Sequence, residues 1–239
     1  GDLTLAACER YKVWPNQALA GNGVSELLMA VCQLAARMGL GRAIIPTPAY
    51  VDVDRCCRLA GLAVEPLPCT AQSGFAPDLE RLAAMLQADR GRGPALVMLA
   101  SPNNPTGTLV PARHVRDLGR AFPTSLFCVD ESFADFVPGI EDEAGGGVGR
   151  VVRNRPDNVL ALVSMTKFYA VPGLRLGLCF GHADLIARLR RRLPAWNLGV
   201  AAQRVGARAL RDADYQRRTV AETARLREAL AAELREIPG

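Results

Sequence analysis

ALVMLASPNNPTGTLVP, residues 95–111, joins a run of six apolar residues to a turn made of Pro, Asn, Thr and Gly. A strand with one wetted face alternates apolar and polar side chains, whereas one covered on both faces does not. ALVMLA (95–100) never alternates, so it predicts a strand with helices above and below it. The turn that follows predicts a loop at that strand's carboxyl end, ahead of a helix over 111–121.

The same pattern recurs in both directions along the chain. RAIIP (42–46), LAVEPL (62–67), SLFCVDE (125–131), VLALVSM (159–165) and LRLGLCF (174–180) predict further strands. Helical stretches over 24–39, 50–60, 78–88 and 182–193 fall between or beside them. Strand–helix alternation predicts an α/β domain with a mostly parallel sheet flanked by helices. From about residue 198 the alternation stops. GVAAQRVGARALRD (199–212) and DYQRRTVAETARLREALAAELRE (214–236) predict two helices with no strand between them. The expected division is an α/β domain over 1–195 and linking helices over 196–239. EDEAGGGVGR (141–150) has the composition of a flexible surface loop.

The chain has 239 residues, enough to bury a core without a disulfide or metal staple. It opens on Gly1 in what reads as a helix and stops where another helix ends, so a piece of a longer protein is expected. No apolar run reaches the roughly 18 residues a membrane span needs, and no signal-peptide pattern is present. Seven scattered cysteines without a CxxC pair argue against a disulfide framework or a zinc site. Reduced thiols in a cytoplasmic protein are expected instead, with no metal. His114 and His182 lack acidic or cysteine partners at ligand spacing, and both are expected to be structural or solvated. The net charge is +5. Its densest basic run, ARLRRRLPAW (187–196), ends an amphipathic helix and reads as a solvated face rather than a nucleic-acid surface. A small anionic substrate or cofactor suits such a balance.

In open α/β sheets chemistry gathers at strand carboxyl ends and helix N-termini. Four stretches fall there. AGNGVSELLMAV (20–31) is a Gly-rich turn feeding a helix, able to offer free N–H groups to a phosphate, or equally an ordinary turn with Ser25 as N-cap. SPNNPTG (101–107) can present amides to a polar ligand or simply turn the chain. CVDESFADF (128–136) sets Asp130 at a strand end, where a carboxylate needs a cationic partner. SMTKFYAVPGLRLG (164–177) holds Lys167, one of only two lysines against 27 arginines (29 basic residues minus 2). A lysine with a buried approach can be neutral and nucleophilic, which arginine cannot. Ser164, Thr166 and Arg175 surround it, and the Ser164 hydroxyl and the Arg175 guanidinium can share one phosphate. A phosphate cradle, an acid for a ring nitrogen, an amide and an imine-forming lysine together make the kit for pyridoxal phosphate.

SPNNPTG, VDESF and SMTK followed by PGLRLG, in this order, resemble the fold-type I pyridoxal-phosphate enzymes of the class I/II aminotransferase superfamily, over essentially the whole chain. The resemblance implies an aminotransferase-like large domain, followed by helices leading to a small domain not included in the chain. It implies that Lys167 holds the cofactor as an imine and that Asp130 keeps its pyridine nitrogen protonated. Asn104 would bond its phenolic oxygen and also lie against substrate, and Tyr50 would stack on the ring. Gly23, Val24, Ser25, Ser164 and Arg175 would form the phosphate cup, and Thr166 would also bind the cofactor. Phe133 departs from the pattern, because many members carry Tyr there, with a hydroxyl on the phenolic oxygen.

Within that superfamily the sequence looks most like the branch of threonine-phosphate decarboxylases and histidinol-phosphate aminotransferases. TKFYAVPGLRLG, DESFADF and LPAWNLGVAA (193–202) are similar to the decarboxylases of cobalamin biosynthesis. The implied activity is decarboxylation of L-threonine O-3-phosphate to aminopropanol phosphate, by a homodimer. A histidinol-phosphate-type aminotransferase and a cofactor-sensing domain of a transcription regulator are the alternatives.

Overall fold

The structure, a computed structural model, describes residues 1–87, 93–142 and 147–237. Seven strands form one sheet: β1 (Ala18–Asn22), β2 (Arg42–Thr47), β3 (Ala63–Pro68), β4 (Ala95–Ala100), β5 (Leu126–Asp130), β6 (Val159–Ser164) and β7 (Leu176–Phe180). Their order across the sheet is β1-β7-β6-β5-β4-β2-β3. Strands β3, β2, β4, β5 and β6 pair in parallel, and β7 runs antiparallel to both β6 and β1. The reversal follows from a short connection. Only Met165–Arg175 lie between β6 and β7, too few to carry the chain back to the far edge for a parallel return.

The helices are α1 (Asp2–Tyr11), α2 (Gly23–Arg37), α3 (Val51–Leu59), α4 (Leu79–Gln87), α5 (Ala112–Ala121), α6 (Met165–Phe168), α7 (Ala183–Arg190), α8 (Val200–Arg211) and α9 (Ala213–Arg235). They cover both faces of the sheet, which explains the uninterrupted apolar run that decided the fold. Val97 and Leu99 of β4 enter one core with Leu3 and Tyr11 of α1 and Val115 of α5. Leu96 and Met98 enter the other with Leu28, Val31 and Leu34 of α2 and Ile186 of α7. Each fully buried side chain of this kind contributes roughly 1.5–3 kcal/mol.

Strand β1 is absent from the sequence-based list of strands. It is five residues of Ala, Leu, Gly and Asn, with none of the β-branched or aromatic residues that mark strands. Its pairing with β7 makes it a strand. The opposite edge, β3, carries Pro66 and Pro68, which withhold N–H donors from an incoming strand. Helix α8 packs on α1 through buried Ala202, Ala207 and Leu210, and Arg211 bonds Asp2 and Glu9. Helix α9 buries no residue fully, but Tyr215 donates to the Phe168 carbonyl at 3.0 Å. The expected loop over 141–150 lies partly outside the described residues, as do residue 88 of the fourth predicted helix and residues 238 and 239.

All seven cysteines are free, five buried and two partly so. His182 accepts from the Asp184 N–H and caps α7. Among the described residues no cluster of three metal-ligating side chains occurs, and no helix is long and apolar enough to cross a membrane.

Candidate active site

The carboxyl ends of β2, β4, β5 and β6 and the start of α2 lie at one rim of the sheet, around a cavity of about 230 Å³. Into it converge Val24, Ser25, Tyr50, Asn104, Asp130, Phe133, Ser164, Thr166, Lys167 and Arg175. Gly23 stands at the edge of the group. These are the residues singled out in the sequence, drawn from six separate segments. Leu28, Val53 and Met98 supply apolar wall.

Helix α2 opens on Gly23 with Asn22 as N-cap, and no side chain caps it. Ser25 is therefore the third helical residue and not the N-cap, which corrects the plainer sequence expectation. The first N–H groups of the helix stay available, and the helix dipole adds partial positive charge there. Gly23 has φ +79°, and a Cβ on it would lie 2.7 Å from Nη2 of Arg175. The guanidinium thus lies directly over the helix start. Gly177 has a similar constraint from below: a Cβ there would stand 2.6 Å from the Val24 nitrogen. Strand β7 can pass under α2 only because that side chain is missing. The Ser164 and Thr166 hydroxyls, both buried, lie 2.8 Å apart.

Asp130 ends β5. Its Oδ1 accepts the Ser132 N–H at 2.9 Å. Burial raises its carboxyl above the ordinary aspartate range, opposed by the Ser132 hydrogen bonds and the positive charge of Lys167. Lys167 sits on α6 between buried Thr166 and Phe168, but its own side chain is exposed to the cavity. The expectation of a lysine with a buried approach is corrected: its chain neighbours are buried and Lys167 itself is open. Among the described residues Nζ has no hydrogen-bond or ion-pair partner.

The two asparagines of SPNNPTG divide their work. The Asn103 amide donates to the Pro48 carbonyl at 3.0 Å and to Thr106 Oγ1 at 2.8 Å, pinning the loop. Asn104 is exposed at the cavity without a partner among the described residues. Tyr50 lines the cavity and donates to Asp52 at 2.8 Å, and that bond raises the phenol's pKa. Phe133 offers the cavity no hydroxyl and its ring lies 6.4 Å from that of Phe136.

Behind Asp130 is a network that sequence reading did not find. Arg150, 1% exposed, pairs with Asp135 at 2.6 Å and Glu131 at 3.2 Å. Glu131 also accepts the Val151 N–H at 2.5 Å. Tyr11 donates to Asp135 at 3.1 Å, and its ring lies 4.9 Å under the Arg150 guanidinium. These groups fix the 130–136 turn to α1. They are far apart in sequence and share no motif. The one available signal was that Glu131 and Asp135 fall inside an otherwise apolar stretch.

An unpartnered amine, a carboxylate held above its usual range and an uncapped helix start under a guanidinium suit a ligand carrying an aldehyde, a basic ring nitrogen and a phosphate. Pyridoxal phosphate is such a molecule.

Comparison with known proteins agrees. A family model described as aminotransferase class I and II matches residues 3–239. The adenosylcobalamin biosynthesis bifunctional protein CobDQ of Leptospira interrogans is 29% identical over 206 residues, covering 86% of this chain and 22% of that protein. The histidinol-phosphate aminotransferase of Sphingopyxis alaskensis is 35% identical over 237 residues, covering 98% of this chain and 60% of that one. The solved histidinol-phosphate aminotransferase of Sinorhizobium meliloti, in complex with pyridoxal 5'-phosphate, superposes with a TM-score of 0.81 at 21% identity, over 96% of this chain and 59% of that one. The chain therefore spans less than two thirds of each of these three proteins.

Proposed function

The chain belongs to the aminotransferase class I and II family, and we propose that it is the cofactor-binding part of an enzyme that removes the carboxylate of L-threonine O-3-phosphate as CO₂. The observation that carries the reading is the single cavity in which the free Lys167 amine faces Asp130, with Arg175 and the α2 start at the same rim. Its support for decarboxylation is the similarity to the cobalamin bifunctional protein across 86% of the chain, together with Phe133 in place of a tyrosine.

When bound, pyridoxal phosphate supplies an aldehyde that condenses with amines and a ring that takes up the electron pair left at the substrate α-carbon. Lys167 Nζ is the amine that would hold it. Once the substrate amine has taken that place, Nζ is free at the rim to carry a proton to the α-carbon. The Asp130 carboxylate would hold a proton on the ring nitrogen, and that charge pair would offset the burial opposing its ionisation. Gly23, Val24 and Ser25 would bind the phosphate through N–H groups, with Ser25, Ser164, Thr166 and Arg175 adding side-chain donors. Asn104 would bond the phenolic oxygen and touch substrate, while Tyr50 would cover the ring. Leu28, Val53 and Met98 exclude water from one wall. Groups gripping the substrate's carboxylate and phosphate decide which α-carbon bond breaks.

A histidinol-phosphate-type aminotransferase is the second reading, favoured by 35% identity over 98% of the chain. A homodimer is part of either proposal, and a regulator's sensing domain would differ from both in having no turnover. The deciding experiment supplies full-length protein with pyridoxal phosphate and O-phosphothreonine. Release of CO₂ with stoichiometric aminopropanol phosphate is expected. Amino transfer to 2-oxoglutarate without CO₂ would replace the first reading by the second.

A further inference from the structure

Strands β1 and β6 begin, and β7 ends, at the edge of the sheet remote from Lys167. A second cleft, of about 430 Å³, opens at that edge. Lys12, Trp14, Arg153, Arg155, Asp157 and His182 line it. Three of these are cations and Asp157 is the one carboxylate of the lining, while Glu141, outside it, pairs with Arg153. Nothing in the reaction proposed above uses them.

Arg155 is the informative member. Nη1 donates to the Val152 carbonyl and Nη2 to the Gly181 carbonyl at 2.7 Å, so the guanidinium is fixed in place by neutral acceptors. No carboxylate pairs with it among the described residues. Glu131, whose field reaches it, is bonded to Arg150. Burial lowers the Arg155 pKa, as expected of a cation withdrawn from water without a counter-ion. Arg153 gives one Nη2 bond to Glu141 at 2.9 Å. Lys12 has no hydrogen-bond or ion-pair partner among the described residues. Its φ of 54° belongs to the left-handed residue that ends α1, where its N–H bonds the Cys8 carbonyl, so its backbone is fixed too. Asp157 is 86% exposed and lies 3.8 Å from His182. Trp14 stands beside the cations with 74% of its surface exposed.

Buried or half-buried charges in proteins are normally neutralised by a partner. Arg155 has no such partner among the described residues, and the space for one is present. We infer that this cleft binds a phosphate group, free or as the head of a small ester, between Lys12, Arg153 and Arg155. A phosphate monoester carries about −1.5 to −2 charges at pH 7, which suits a lining with three cations and one exposed carboxylate. Trp14 is positioned to cover the body of an ester, and it provides the optical signal.

The test uses full-length protein loaded with pyridoxal phosphate and reduced with borohydride, so that the phosphate cup beside Lys167 is filled. It is independent of which reaction that site performs. In a Trp196→Phe background the remaining indole within these residues is Trp14. Inorganic phosphate and phenyl phosphate are titrated at low ionic strength by fluorescence and calorimetry. One molecule per chain is expected, with affinity falling about tenfold or more in Lys12→Gln and in Arg155→Gln, the loss of one charge-assisted hydrogen bond each. Tighter binding of phenyl phosphate assigns an ester ligand, and equal binding assigns free phosphate. Lys12 is on the surface, so its variant reports even if Arg155→Gln unfolds. No saturable binding up to about 10 mM, weaker than any specific recognition of a dianion by three cations, or affinity unchanged in Lys12→Gln, overturns the proposal.

Discussion

The guanidinium of Arg175 occupies the space in which a β-carbon on Gly23 would stand, 2.7 Å from Nη2. Gly23→Ala therefore does two things: it strains a residue at φ +79° and pushes Arg175 off the start of α2. Cofactor affinity is expected to fall about 10- to 100-fold, the worth of a displaced charge-assisted contact. Absorbance titration of the apoprotein measures it, and far-UV dichroism should show the fold retained. Unchanged affinity would mean that Arg175 does not grip the phosphate.

Among the described residues that line the cavity, Lys167 is the only lysine and the candidate for covalent attachment. Borohydride reduction of the loaded protein should fix the cofactor on the peptide containing Lys167, and mass spectrometry reads the site. Lys167→Ala and Lys167→Arg should both give no adduct and lose at least about 10²-fold in turnover, since a guanidinium keeps its proton. An adduct in either variant refutes the assignment.

Asp130 is expected to trade stability for function. Burial raises its carboxyl in the cofactor-free fold, so the fold favours the protonated form. Its contribution is present below the ordinary aspartate pKa of about 4 and is lost as pH rises through the raised value. Cofactor-free wild type should thus be less stable than Asp130→Asn at pH 7, with the gap closing toward pH 4. Urea unfolding of both proteins across that range is the check. Glu131, raised as well, is common to both and cancels. A pH-independent gap would contradict the buried-carboxylate account, and Asp130→Asn should be inactive throughout.

Phe133→Tyr would add a hydroxyl to the cavity at position 133, where the phenyl ring offers none. A new donor toward the phenolic oxygen favours its ionised form. The visible absorbance of the bound cofactor should therefore titrate at lower pH than in wild type. If the midpoint does not move, residue 133 does not touch the phenolic oxygen.

Arg150→Met removes the cation shared by a buried network and leaves Glu131 with no cationic partner among the described residues, while Asp135 keeps Arg10 at 3.2 Å. A loss of about 3–5 kcal/mol is expected in denaturant unfolding. Replacing all three groups together by apolar residues should restore part of it. A loss under about 1 kcal/mol, the size of a surface pair, would mean that the network is not buried in solution.

What the sequence disclosed and what it hid follow from how each feature is encoded. Residues 95–100 lie against helices on both faces, and that burial writes itself into the sequence as an unbroken apolar run. Lys167, Asp130 and Asn104 each end or follow such a run, so local context pointed to them. Strand β1 exists through its pairing with β7, a contact across about 160 residues that its small side chains do not announce. The Arg150 network joins residues 10, 11, 131, 135 and 150, and no periodicity records which charges meet. The openness of the Lys167 amine was also invisible, because the residues on either side of it are buried.

The reversal of β7 has a mechanical result. Lys167 and Arg175 lie on the short link between β6 and β7, eight residues apart along the chain, so the group that would bond an aldehyde and the group that would hold a phosphate are tethered to each other. A ligand that lets go of one stays within reach of the other, at an effective concentration set by that link. Escape would then need both grips open at once, and a substrate amine could break the covalent one repeatedly without the cofactor drifting away.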